Sequence, residues 1–272
     1  MRPSTTSVAT KRLLLGILLT ELIFGVLLLG QPAAPQIPRL AAPAAHTTFT
    51  GGSTTLMLPD GRRVALVDLG GPDAASLLTR VTAEIADAAN AVTAFWGPDW
   101  PREVTIAATA TDEQFTALAG GGADIAAATT KERIVFAPGA AAMSNTALRI
   151  VLRHELFHYA TRTVTASDAP RWLTEGVADF VGRPPVAAPR DAQAVLPTDT
   201  ELDTAGPLRS LAYDRAWWFS SFVAEVYGTP ALRALYLRAC GIGHTDVGTA
   251  VRDTLGADLD EVLNRWRAWL TR

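Results

Sequence analysis

His154 and His158 stand four positions apart, with Glu155 beside the first of them in the run His154-Glu155-Leu156-Phe157-His158. On a helix this spacing turns the two imidazoles by only about 40° around the axis and moves them about 6 Å along it, so both can reach one ion. Glu155 is turned about 100° from His154, which keeps its carboxylate out of the ligand set and free to take a proton from water. Further along comes Glu175, and two histidines with one glutamate form a catalytic zinc set that leaves a fourth position for water. The implied chemistry is hydrolysis, with zinc polarising a carbonyl and Glu155 carrying the proton from water to the departing amine. Asp179 lies four residues after Glu175 on the same helix face, where it can accept a hydrogen bond from the second nitrogen of His154 and fix that ring.

These residues resemble the gluzincin metallopeptidases, and within them the bacterial proteins described as peptidase MA-like. The resemblance is carried by H-E-L-F-H at 154–158 and W-L-T-E-G-V-A-D at 172–179, with a weaker echo in Tyr213-Asp214-Arg215-Ala216-Trp217-Trp218-Phe219. It covers roughly residues 75 to 240 and is specific only in the two metal motifs. It implies a single zinc ion and a mixed sheet above the active-site helix, with an edge strand that pairs with extended peptide. Residues 133–138 are the expected edge, which makes Arg133, Ile134, Val135 and Phe136 the expected substrate contacts. It also implies a tyrosine or histidine that steadies the oxyanion, for which Tyr213 is the first candidate and His244 the alternative.

The sequence departs from the family in three places. Only 16 residues separate His158 from Glu175, so the connecting loop is reduced. No Gly-Ala-Met-Glu-Asn-like stretch precedes the helix, which removes the usual recognition of a free substrate N-terminus and disfavours aminopeptidase activity. Thr161 and Val164 stand where a metzincin needs a glycine and a third histidine.

The elements that must position these groups follow from periodicity. Ile150, Val151, Leu152, Leu156, Phe157 and Tyr159 make the helix predicted over 146–163 apolar almost all round, the mark of a buried element. Asp168 and Pro170 precede a second predicted helix over 171–181, in which Gly176 is expected to permit close approach between the two helices. Upstream, 54–58 and 63–69 read as a hairpin around Pro59-Asp60-Gly61. An amphipathic helix over 73–95 follows, carried by Leu77, Leu78, Val81, Ile85, Ala88, Ala89 and Val92. Then come a strand at 103–109, a helix at 111–118, a loop at Gly120-Gly121-Gly122 and a strand at 133–136. Residues 183–209, with five prolines, read as one long surface loop. Helices are predicted at 210–227, 230–239, 245–254 and 258–270. Strands first and helices after give an α+β fold: a small mixed or antiparallel sheet over the active-site helix, followed by a mainly helical C-terminal half. Trp217, Trp218 and Phe219 are consecutive, so they are not all expected to face the core.

The 272 residues carry a net charge of −3 with dispersed arginines, which gives nucleic acid no basic footprint. The single cysteine, Cys240, can form neither an intramolecular disulfide nor a thiolate metal cluster. Arg2, Lys11 and Arg12 precede an apolar run from Leu13 to Gly30. Residues 1–12 are therefore expected in the cytoplasm, with 13–30 as a transmembrane signal-anchor or a signal peptide. Residues 31–50 form a Pro/Ala-rich linker and 51–272 the catalytic domain, held outside the membrane or secreted after cleavage. The expected function is a zinc endopeptidase acting on peptide or protein. Two alternatives are a peptidase-like binding module of the cell envelope and a zinc hydrolase of a non-peptide substrate, because fold and metal do not fix the substrate.

Overall fold

The computed structural model describes residues 52–120, 124–189 and 191–272. The expected cytoplasmic, anchor and linker segments lie outside these residues. Among the described residues no helix is long and apolar enough to cross a membrane.

Strands β1 (Ser53–Met57) and β2 (Arg63–Asp68) pair antiparallel. The turn between them uses Gly61 at φ +83°, a conformation that glycine adopts without a Cβ penalty. Helix α1 (Pro72–Trp96) then crosses to β3 (Glu103–Ala108), which runs parallel to β2. After α2 (Asp112–Ala119) come β4 (Ala127–Thr129) and β5 (Ile134–Phe136), antiparallel to each other, with β5 parallel to β3. The sheet order is β1-β2-β3-β5-β4, a small mixed sheet. The apolar stripe of α1, with Leu77, Val81, Ile85, Ala88 and Val92 buried, lies against the sheet and the helices that follow.

The expected edge strand is an interior one. Ile134, Val135 and Phe136 are flanked by β3 on one side and β4 on the other, so their backbone is not available to a peptide. The physical reason is burial on both faces. Ile134 and Phe136 enter the main core, while Val135 packs with Phe115, Ile125 and Ala128 beneath α2. A strand apolar on both faces is an interior strand. Arg133, just before β5, pairs with its neighbour Glu132. The edge next to the helical half is β4, which alanine-rich sequence of low β-propensity conceals.

The helical half contains α3 (Asn145–Thr161), α4 (Arg171–Gly182), α5 (Asp199–Asp203), α6 (Pro207–Val226), α7 (Thr229–Cys240), α8 (Val247–Leu255) and α9 (Leu259–Leu270). Residues 183–209 are thus not one loop. Thr198 and Glu201 form a capping box that starts α5, and α6 begins three residues before its expected start, at Pro207. Trp217, Trp218 and Phe219 are all buried, contrary to expectation, because α6 is surrounded by α4, α5, α7 and α9 rather than lying on a surface. Phe219, for example, meets Trp172 of α4 and Trp266 of α9 edge to face.

Candidate metal centre

Helix α3 starts at Ser144, whose side chain accepts the Ala147 N–H, and runs under β4 and β5. The two middle residues of its metal motif anchor it. Leu156 is fully buried, and Phe157 makes edge contacts with Phe95 and Trp96 of α1 and Tyr236 of α7 at ring separations of 5.8, 5.9 and 5.4 Å. That packing turns His154, Glu155 and His158 toward α4 and β4.

Helix α4 is brought close by two glycines. A Cβ at Gly182 would lie 2.9 Å from the Ile150 carbonyl oxygen of α3. Gly176, expected to serve that contact, instead faces α6, where a Cβ would collide with the Ala216 carbonyl. One glycine thus sets α4 against α3, and the other sets it against α6.

The three candidate ligands converge. His154 Nε2 and His158 Nε2 are 3.0 Å apart, and Glu175 Oε2 lies 3.2 Å from the first and 3.4 Å from the second. Three ligands held tetrahedrally at zinc bond lengths would stand about 3.3 Å from one another, so the triangle matches that demand. All three residues are buried. His154 Nδ1 donates to Asp179 Oδ1 at 2.9 Å, because a carboxylate can only accept, and this leaves Nε2 to present its lone pair to the triangle. Three lone pairs facing one another require a proton or a cation between them, and this donor set with one open position suits zinc. Without metal, a proton serves: burial would lower the His154 pKa, but Asp179 and Glu175 together raise it to about 10. Glu175 is held well below the usual carboxylate range by the two histidines, which prevail over its burial.

Asp179 is itself secured. Arg183, one turn later on the same face, reaches its second oxygen at 2.7 Å and holds Asp214 of α6 at 2.6 Å. Sequence reasoning missed Arg183 by ending the helix early, although Asp179 and Arg183 at i and i+4 form a readable pair.

Glu155 is fully buried beside the triangle. Burial raises its pKa against the opposing pull of His154 and His158. Its Oε2 accepts a hydrogen bond from Thr129 Oγ1 of β4 at 2.6 Å. Thr129 was also missed, because nothing in the alanine-rich stretch around it marks a strand.

Tyr213 is buried in the second turn of α6, with its ring 6.5 Å from that of His154. Burial and the carboxylates of Glu175 and Asp179 push its hydroxyl well above the ordinary tyrosine pKa, so it remains a hydrogen-bond donor. His244 lies outside this cluster: its ring is engaged by the Thr245 carbonyl at 2.9 Å and by Asp168 at 3.4 Å.

Beside the cluster, Ala127 and Ala128 on β4 are as buried as the histidines, and Arg209 of α6 forms an ion pair with Asp124, which leads into β4.

The sequence matches no family profile and no curated protein. Solved structures share its fold. An M1 zinc metallopeptidase from Deinococcus radiodurans aligns with a TM-score of 0.51 and 15% identity, over 82% of this chain and 51% of that one. Legionella pneumophila aminopeptidase A, in complex with aspartic acid, aligns with a TM-score of 0.52 and 15% identity, over 81% of this chain and 28% of that one. The chain therefore has a gluzincin-like fold and spans about half, or less, of the length of these neighbours.

Proposed function

We propose that this chain is a zinc peptidase of the peptidase MA-like kind, cutting within peptides or proteins outside the cytoplasm. The observation that carries the reading is the buried triangle of His154, His158 and Glu175 with the carboxylate of Glu155 beside it. Zinc bound there supplies Lewis acidity toward a peptide carbonyl and toward water. Glu155, whose proton affinity burial has raised, accepts the proton of the attacking water and returns it to the leaving amine. Tyr213 keeps its proton and donates to the developing oxyanion. Asp179, braced by Arg183, fixes the His154 ring.

Substrate is taken to lie along β4 rather than along 133–136, since β4 ends the sheet and carries Thr129 against Glu155. Cutting within chains is favoured because the β4 stretch Ala126-Ala127-Ala128-Thr129-Thr130 has no glutamate to hold a free N-terminus. Location outside the cytoplasm is supported by the basic residues ahead of the apolar run at 13–30.

The test compares zinc-loaded wild type with Glu155→Gln on peptides with free and with acetylated N-termini. Wild type is expected to cleave both kinds, and the variant to keep its zinc while losing about 10²- to 10⁴-fold in kcat. Zinc without cleavage by wild type would replace this proposal with a binding module. Cleavage confined to free N-termini would make the protein an aminopeptidase.

A further inference from the structure

We infer that Thr129 is the positioning residue of the reaction, aiming the Glu155 carboxylate from the edge strand through its hydroxyl. The inference rests on the peptidase reading above and adds a residue that neither metal motif contains.

Thr129 Oγ1 has two acceptors within reach, Glu155 Oε2 at 2.6 Å and the Glu155 backbone carbonyl at 2.9 Å. A hydroxyl has one hydrogen to give. With the carboxylate ionised, the shorter contact takes it, since hydrogen bonds from a hydroxyl to a charged oxygen are the shorter and stronger kind. Glu155 Oε1 is buried and has no hydrogen-bond partner among the described residues. One oxygen is therefore tied and the other left open, which sets the direction in which the carboxylate can receive a proton.

The mount is firm on both sides. Thr129 pairs with Ile134 in the β4–β5 ladder. The turn beyond it is closed by Thr130, whose N–H donates to the Arg133 carbonyl at 2.8 Å and whose hydroxyl accepts from the Glu132 and Arg133 N–H groups. A β-branched side chain has few χ1 options, so a fixed backbone means a fixed oxygen. Glu155, on α3, is fixed in turn by the packing of Leu156 and Phe157. Among the described residues the hydrogen bonding of the Glu155 side chain comes from Thr129 alone. Losing it frees the base to turn without touching any metal ligand.

The experiment uses the zinc-loaded full chain as wild type, Thr129→Val and Thr129→Ser. Valine keeps the shape and removes the donor; serine keeps the donor. Thr129→Val should lower kcat about tenfold to a hundredfold, the scale of a misplaced catalytic group, with KM changed less than about twofold. Zinc content should be unchanged, and Thr129→Ser should recover most of the rate. If valine disturbs the strand, seen as a lower Tm, Thr129→Ala makes the same comparison. Crystal structures of wild type and the valine variant form a second arm that needs no turnover. Glu155 should occupy one conformer in the first and more than one in the second. An unchanged kcat in an active Thr129→Val enzyme, or an unmoved Glu155 in its crystal structure, would overturn the inference. If zinc-loaded wild type cleaves nothing, the peptidase reading fails, and the crystallographic arm still decides what Thr129 does.

Discussion

Helices α3 and α4 bury charge, whereas the residues that helices α8 and α9 bury are apolar and aromatic and carry no charge. Between α3 and α4 lie His154, Glu155, His158, Glu175 and Asp179, all removed from water. In α8 and α9 the buried residues are Ala250, Val251, Leu255, Val262, Trp266 and Leu270, and the charged pairs Arg252–Asp258 and Arg265–Glu261 stay on the surface. The second pattern is what folding alone asks for. The first costs several kcal/mol for each ion taken from water, offset only where partners are well placed. A region that carries this cost with its lone pairs converging is built to bind, and α4 shows how: its buried carboxylates Glu175 and Asp179 are met by His154 and His158 of α3 and by Arg183, which in turn holds Asp214 of α6.

The comparison breaks if stability and metal binding fail to separate. Trp266 is fully buried against Phe219 in the hydrocarbon region. Trp266→Ala should cost about 3–5 kcal/mol of stability in urea unfolding while the folded protein keeps its zinc. Loss of zinc from the folded variant would mean that the regions are not independent. In the charged region, Asp179→Asn should weaken zinc binding about 10- to 100-fold in competition with a chromophoric chelator. Unaltered affinity would remove Asp179 from the account of how His154 is held. The smallest effect belongs to the surface pair of Arg252 with Asp258, both more than half exposed. Arg252→Ala should shift unfolding by less than about 0.5 kcal/mol, and a larger loss would show that the surface charges of α8 and α9 do more than this reading allows.

These two regions also differ in how legible they were. The His and Glu spacing of α3 and α4 is a local helical property, so the sequence alone showed which residues could meet, and amphipathic periodicity placed α1, α8 and α9. The sheet edge is a long-range property: β4 is three alanine-rich residues whose pairing is decided by β5, and no local signal distinguished it from loop. The same blindness hid Thr129 and put the expected sheet edge one strand inside the observed one. The start of α5 was readable in Thr198 and Glu201, but the prolines around it suggested one loop. Gly176 illustrates a further limit, since sequence can say that a helix must approach something closely but not which helix.

The zinc proposed for the triangle of His154, His158 and Glu175 is the point on which the rest depends. It is tested most directly by calorimetric titration of metal-free protein with zinc in buffers of different ionisation enthalpy. His154, with its pKa raised from 6.5 to about 10, carries a proton at neutral pH in the absence of metal, and zinc must displace it. The account predicts about one zinc for each chain, release of protons on binding, and affinity that falls as pH is lowered. A folded protein that takes up no zinc, or takes it up without releasing protons, would contradict it.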